Sequence, residues 1–355
     1  MLELPSAERN ILEISNPIDA KGFLTFLVIF AVNSKVFSYK NSKHLYLKKR
    51  HLRTQNSKIR GRKMALKKAE LIALIFIAWV SISSSSVLVL LSQTSAFHAA
   101  FWRLLFSSFI LATATFAYYK KIPFKLSFIP IFSGIFLGFH FLFWMKSLFL
   151  IPVALSTTIV VTYPGITAIL EKFVLKESMG KRQVFGMVVA LAGVSIMLYS
   201  PQNFNIKEDI YTGSLFSAFA SFLAAGYFFL GRIARSRGEG LSQYAITTYL
   251  TAAISVFSIG FLKGVSFLSV PPEGWIFLLL LAIVPMIGGH TVMNYLLVEE
   301  KASFVSSIAL GEPLGATLLS YFILGQRISV YMLIGMVLTI VGMFLIIGER
   351  AFSKK

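Results

Sequence analysis

The sequence contains no cysteine, which excludes a disulfide framework, a thiol nucleophile and thiolate metal sites. It is also poor in charge: Asp, Glu, Lys and Arg make up 14% of its 355 residues, where a soluble domain carries about a quarter. Acidic residues are the scarcest, 15 against 34 Lys plus Arg, for a formal net charge of +19. Missing too are a phosphate-binding Gly-rich loop ending in Lys-Ser/Thr, an HExxH pair and a GxSxG elbow. ATP-driven pumping by this chain alone is therefore not expected, nor is a metal, a cofactor or an enzymatic activity. What the chain has in abundance is apolar side chains, 56% of the total, with 14% aromatic. That composition points to a protein embedded in a lipid bilayer.

A charge of +19 alone would suit a nucleic-acid partner, but the placement of the basic residues excludes one. Residues 1–63 hold 13 basic and 4 acidic side chains, net +9; residues 64–355 hold 21 and 11, net +10, mostly in short runs between apolar stretches. Such runs are signals of membrane topology. Within 1–63 only Gly22 to Val32 is continuously apolar, too short to cross a hydrocarbon core of about 30 Å. The basic run that follows should be solvated and disordered. This extension is expected to lie outside the working protein, with Met64 as the start of the core; a regulatory tail and an extra anchoring helix are the other readings.

From Met64 onward, ten apolar runs of 17 to 24 residues alternate with brief polar links, near 71–91, 97–118, 128–149, 153–175, 183–199, 211–231, 244–262, 274–297, 303–324 and 330–347. Inside hydrocarbon a backbone must satisfy its own hydrogen bonds, so each run is expected to be a helix; barrel strands would be about 10 residues long and alternating. With Met64 in the cytoplasm, 18 Lys and Arg from Arg62 to Lys355 fall on the cytoplasmic side, and Lys207, Lys263 and Arg327 on the other. That bias sets the orientation. Both ends of the 64–355 core, including the 349–355 tail, are expected in the cytoplasm, and the protein in the cytoplasmic membrane.

The core also repeats itself. A shift of 149 residues sets the stretch from Tyr163 against that from Glu312 without a gap, pairing Pro164 with Pro313, Phe173 with Phe322, Leu175 with Leu324, Gly186 with Gly335 and Gly193 with Gly342. A shift of 150 pairs Gly138 and His140 with Gly288 and His290. The core thus reads as two five-helix halves, 64–200 and 211–348. Five is odd, so equivalent helices cross in opposite senses. The expected fold is all-α and integral to the membrane, ten transmembrane helices arranged as two inverted five-helix repeats, an architecture of secondary transporters.

Two runs carry a resemblance to a known family. The segments from His140 to Glu177 and from Gly288 to Arg327 resemble the first and second repeats of the EamA-type transporters of the drug/metabolite transporter superfamily. Arg103 in AFWRLLFSS, the Pro-centred fourth and ninth runs, Lys176-Glu177 and the Gly-rich fifth and tenth runs occur in the family's order and spacing. The resemblance covers 64–355 and none of 1–63, and implies a ten-helix carrier of small metabolites, often an exporter. Gly325-Gln326 departs from the Gly-Glu with which the ninth helix of the family usually closes.

Polar groups inside hydrocarbon cost about 2.5 kcal/mol or more on insertion scales and are functional candidates for that reason. His140 and His290 sit midway along the third and eighth runs at matching depths. They form either a substrate-binding or proton-titrating pair or neutral rings satisfied by neighbouring helices. Glu312, before Pro313, suits a cationic substrate group or a proton, or else a hydrogen bond across the repeat interface. Arg103 can pair with Glu312, hold a substrate carboxylate or snorkel to the headgroups, the last being the plainer account. Lys146, near the outer end of the third run, fits snorkelling best. Pro164 and Pro313 should kink their helices and expose carbonyls beside Thr162, Tyr163 and Gly311. Trp144, Asn294 and Tyr295 lie one turn beyond the histidines and can form an aromatic wall or an interfacial belt. Ser83 to Ser86 can line the cavity or bond between helices, packing being the plainer account, and the paired glycines are read as packing positions.

The expected function is secondary transport of a small metabolite, amino-acid-like or another small organic solute, by alternating access. Its partners are that solute, the bilayer and a proton or another coupling ion, with a homodimer left open. The alternatives are a lipid-modifying membrane enzyme or scaffold on the same bundle, which lacks a catalytic cluster at headgroup depth, and a pore, which would use rings of like residues from several subunits. Single cysteines placed beside Arg182 and beside Arg327 should react with an impermeant thiol reagent from opposite faces of the membrane; reaction from one face would end the inverted-repeat reading.

Overall fold

The computed structural model describes residues 68–122, 127–151, 153–197, 210–324 and 328–352. The 1–63 extension, Lys207 and the Gly325-Gln326-Arg327 link lie outside these. Among the described residues every regular element is helical. Ten helices follow one another: α1 (Lys68–Leu91), α2 (Ala96–Tyr119), α3 (Phe128–Leu148), α4 (153–175), α5 (Lys181–Met197), α6 (Ile210–Ser236), α7 (Leu241–Leu262), α8 (Gly274–Leu296), α9 (302–324) and α10 (Val330–Phe352). Nine are long and apolar enough to cross a bilayer; α5, with 17 described residues, is the short one. The outward faces carry large apolar side chains open to the surroundings, among them Phe109 (70% exposed), Phe128 (75%) and Phe261 (69%). A surface of this kind is stable only against lipid.

Packing follows an exchange rule. α1 packs on α8 as α3 packs on α6, and α1 packs on α9 as α6 packs on α4; α2 on α7, α4 on α9 and α5 on α10 are the pairs that map onto themselves. Exchanging every helix for the one five places on leaves this set unchanged, as a two-fold relation between two repeats requires.

The α5–α10 pair reveals the sense of that relation. Lipid offers helices no hydrophobic drive to associate, so close backbone contact between small residues takes its place. A Cβ on Gly186 would come within 2.7 Å of the Gly342 carbonyl oxygen, and one on Gly193 within 2.6 Å of the Gly335 carbonyl oxygen. The early glycine of α5 thus meets the late glycine of α10, and the late one meets the early. Equivalent helices run antiparallel, and the repeats are inverted.

The ends of the bundle agree with this alternation. At one end α2 and α4 stop on lysines held in the left-handed region, Lys120 (φ 54°) and Lys176 (φ 58°), where their charge also meets the negative end of the helix dipole. Ser127 before α3 donates to Glu239 after α6 (2.7 Å) at that same end. At the other, the His98 ring of α2 reaches the Ser266 carbonyl after α7 (3.0 Å) and the Trp102 indole N–H donates to that of Phe267 (2.8 Å). The first is called the basic end below.

Besides α1, which is interrupted at Ser84, three helices depart from regular geometry beside a proline. α4 breaks at residues 161 and 162 before Tyr163, with Pro164 opening its second half, and ends in a π-turn over Glu171–Leu175. α9 runs as a 3-10 helix over Ser307–Gly311 up to Glu312-Pro313. α8 is π-helical over Ala282–Thr291 around Pro285. In each the proline removes a backbone donor and crowds the preceding turn. Gly193→Leu should overpack the α5–α10 contact and cost about 1–3 kcal/mol or more, seen as a lower thermal midpoint in detergent or loss from the membrane. Gly165→Ala, whose Cβ would meet only Met187 Sδ at 3.9 Å, should leave both unchanged.

Candidate functional site

The distortions surround a small cavity of about 20 Å³. Its polar lining comes from six helices: Ser85 of α1, Arg103 of α2, His140 and Trp144 of α3, Tyr163 of α4, His290 of α8 and Glu312 of α9. Phe141, Ile82, Val160 and Met293 complete the wall. Both repeats contribute.

Arg103 is fully buried, so it does not snorkel. Its Nη1 donates to Ser85 Oγ (2.9 Å), its guanidinium carbon stands 3.9 Å from the centre of the Phe141 ring, and its Nε has no partner. A guanidinium carries five N–H donors, and among the described residues one of them is bonded. The Glu312 carboxylate is within Coulombic reach, yet among the described residues no hydrogen bond or ion pair joins the two. A buried charge in this condition is costly unless something else completes its shell.

The two histidines, equivalent in sequence, have different surroundings. His140 Nδ1 lies 2.9 Å from the Ala220 carbonyl oxygen of α6; a carbonyl only accepts, so this nitrogen is protonated and the neutral ring offers Nε2 as acceptor. Its plane is parallel to that of Trp144 (2°, centroids 6.4 Å). His290 sits among Phe141, Tyr227 and Phe228 at centroid distances of 5.2, 6.0 and 6.2 Å, and its Nδ1 is buried without a partner. The Trp144 indole N–H is likewise unpartnered. Arg103 Nε, Trp144 Nε1 and His290 Nδ1 thus belong to side chains on one cavity, each wanting a partner that buried polar groups normally have.

Tyr163 lines the cavity and stacks on Phe228 (5.5 Å, 7°). Thr162 points away, bonded to Ile159 O and Ser221 Oγ, and the Gly311 carbonyl is taken by the Trp79 indole N–H (2.7 Å). Asn294 and Tyr295 are not in the lining. Asn294 Nδ2 donates to Tyr227 Oη (2.7 Å) and Tyr249 Oη (3.3 Å), and Tyr249 Oη bonds Thr291 Oγ1 (2.9 Å). Both lie on the regular helical segment Val292–Leu296 that follows the π-helical stretch. Lys146 stands over the Phe97 ring (5.0 Å) at the end opposite the basic one. Sequence reasoning favoured packing over the cavity for Ser85 and passed over Pro285 and Phe141; the proline at the centre of an apolar run was an available signal. Among the described residues no three of His, Asp and Glu are grouped as a metal-binding cluster would be.

Fold and cavity together define a multi-pass membrane protein with an internal site shared by two helical repeats. The chain belongs to the EamA-like transporter family, whose family model matches residues 68–199 and 211–348, and it is a membrane transporter. It is similar to "Uncharacterized transporter YyaM" of Bacillus subtilis (strain 168), 31% identical over 223 residues, 62% of this chain and 72% of that one. "Uncharacterized transporter YxxF" of the same organism is 22% identical over 222 residues, 61% of this chain and 68% of that one. A crystal structure whose title says no more than that it is of a protein shares the fold, with a TM-score of 0.64 at 18% identity, covering 77% of this chain and 97% of its own.

Ser85→Ala should remove the hydroxyl partner of Arg103 and lower stability by about 1–3 kcal/mol. Ser86→Ala, which removes a buried hydroxyl without a partner, should be neutral; thermal denaturation of the two purified variants separates them.

Proposed function

We propose that this protein is a secondary transporter that carries a small organic solute across the cytoplasmic membrane by alternating access, with both ends of the 64–355 core in the cytoplasm. The observation that carries this reading is the set of unpaired polar groups around one cavity between inverted repeats. A solute with an anionic group would complete the Arg103 shell, a cationic group would face Glu312, and hydrogen-bonding atoms would meet Trp144 Nε1 and His290 Nδ1. Arg103 and Glu312 together make the charged lining balanced, which suits a zwitterionic, amino-acid-like solute. Phe141, Trp144 and Tyr163 supply apolar walls for the rest of such a molecule.

Alternation follows from the symmetry. Two inverted repeats can exchange conformations, and the exchange moves the opening of a shared site from one side to the other. The breaks in α4, α8 and α9 all lie beside the cavity, where a helix already interrupted can bend. Coupling to a proton or another ion would use the same titratable residues, His140, His290 and Glu312. A homodimer is not required, since one chain supplies every lining residue.

His140→Ala, His290→Ala and Glu312→Gln should each lower transport of the best solute from a metabolite screen in membrane vesicles by at least about tenfold, the worth of one lost hydrogen bond to a charged group. The amount of protein in the membrane should not change. The screen compares uptake with and without an imposed pH gradient. Unchanged transport in all three variants would remove the site, and flux that neither saturates nor is stimulated by solute on the far side would favour a pore.

A further inference from the structure

The basic end of the bundle is tied shut by a group of polar contacts that nothing in the transport site uses. Glu171, 1% exposed on the π-turn of α4, accepts hydrogen bonds from the backbone N–H groups of Ala302 (2.5 Å) and Ser303 (3.0 Å) at the start of α9. Arg232 of α6 forms an ion pair with Glu177 just after α4 (3.2 Å) and donates to the Leu297 carbonyl after α8 (2.9 Å). Lys301 donates to the Ser178 carbonyl.

We propose that Glu171, Glu177 and Arg232 form a one-sided latch that closes the cavity at the basic end and must release each time the cavity opens there. This rests on the alternating-access reading. Three observations support it. Glu171, Glu177 and Ser178 belong to the first repeat and their partners Arg232, Lys301, Ala302 and Ser303 to the second, so the repeats cannot separate at this end without breaking the contacts.

The latch also sits on the helices that carry the cavity. Glu171 is eight residues from Tyr163 and Ala302 ten from Glu312, about 12 and 15 Å along the axes. The segments it holds start beyond the breaks that would let them swing. Leu297, gripped by Arg232, closes the helix of His290 and Met293.

Finally, the positions equivalent in sequence to the latch carboxylates are uncharged. In the gap-free repeat, 149 residues on, Glu171 corresponds to Ser320 and Glu177 to Gln326, and α1, the counterpart of α6, has no charged residue after Glu70. Among the described residues the polar contacts between repeats at the opposite end are Ser217 to Ser147 (2.9 Å) and Ser156 (3.2 Å), the His98 and Trp102 bonds, and Lys146 over Phe216 (5.8 Å), with no carboxylate; aromatic pairs such as Trp102 with Trp275 (4.9 Å) accompany them. Bonds to charged groups are about twice as strong as neutral ones. The two closed states are therefore unequal, and the carrier favours the one shut at the basic end.

The absence of cysteine makes the test direct. Met293→Cys places one thiol on the cavity wall, and an impermeant maleimide is applied to vesicles of either orientation. Glu171→Gln and Glu177→Gln, each in that background, should raise the labelling rate from the basic end roughly tenfold, the weight of one charged hydrogen bond in a two-state equilibrium, and lower it from the other end. Glu177 is 31% exposed, so its variant carries the test even if Glu171→Gln fails to accumulate. An unchanged rate from the basic end in the accumulating variants overturns the latch while leaving transport intact. A thiol reached from neither end in any variant overturns alternating access itself, and the latch with it.

Discussion

The close approach of helix backbones across the repeat boundary is the constraint on which the rest of this structure depends. Lipid tails are as apolar as leucine, so helices in a bilayer gain nothing by hiding apolar surface from it; contact between small residues has to hold them together. Gly186 against Gly342 and Gly193 against Gly335 leave no room for a side chain. Inside the bundle the same device recurs, a Cβ on Gly138 meeting the Ala252 carbonyl oxygen of α7 at 2.7 Å. Because these contacts are made of backbone, they fix the position of whole helices, and so the positions of the polar side chains those helices carry.

Around that frame the molecule places a few polar groups where no solvent reaches. Arg103, His290 and Trp144 each have an unbonded nitrogen beside one cavity, while the nearby Tyr227, Asn294, Tyr249 and Thr291 are bonded to one another. Asn294 Oδ1 in that bonded cluster also lacks a partner; what sets Arg103, His290 and Trp144 apart is that they line a common cavity. The helix breaks sit among the open groups, so the parts of the fold least held by their own hydrogen bonds are also those that touch the cavity.

The two repeats share a backbone plan without sharing chemistry. His140 is held by the Ala220 carbonyl and its equivalent His290 is not; Glu171 caps α9 while its equivalent is a serine. Under the proposed alternating access, symmetry of fold would give two related conformations, and charged contacts present at one end alone would bias the equilibrium between them.

Much of this was legible in the sequence. Apolar run length, the lysine and arginine asymmetry and the gap-free pairing of Tyr163 onward with Glu312 onward specify helices, their alternation and their inversion, because hydrocarbon forces each run to satisfy its own backbone and five crossings reverse direction. The pairing of His140 with His290 singled out two residues that line the cavity, and that of Pro164 with Pro313 two interrupted helices beside it. What the sequence alone could not decide was which face each residue presents. Asn294 follows His290 by four, yet it bonds Tyr227 and Tyr249 and is not in the cavity lining; Arg103 had a headgroup within reach of its length, yet Ser85 and Phe141 hold it inside. Those outcomes, and the meeting of Glu171 with α9 from 131 residues away, depend on the rotation and proximity of packed helices. Only the tertiary structure sets these, since neither is encoded by spacing along one chain.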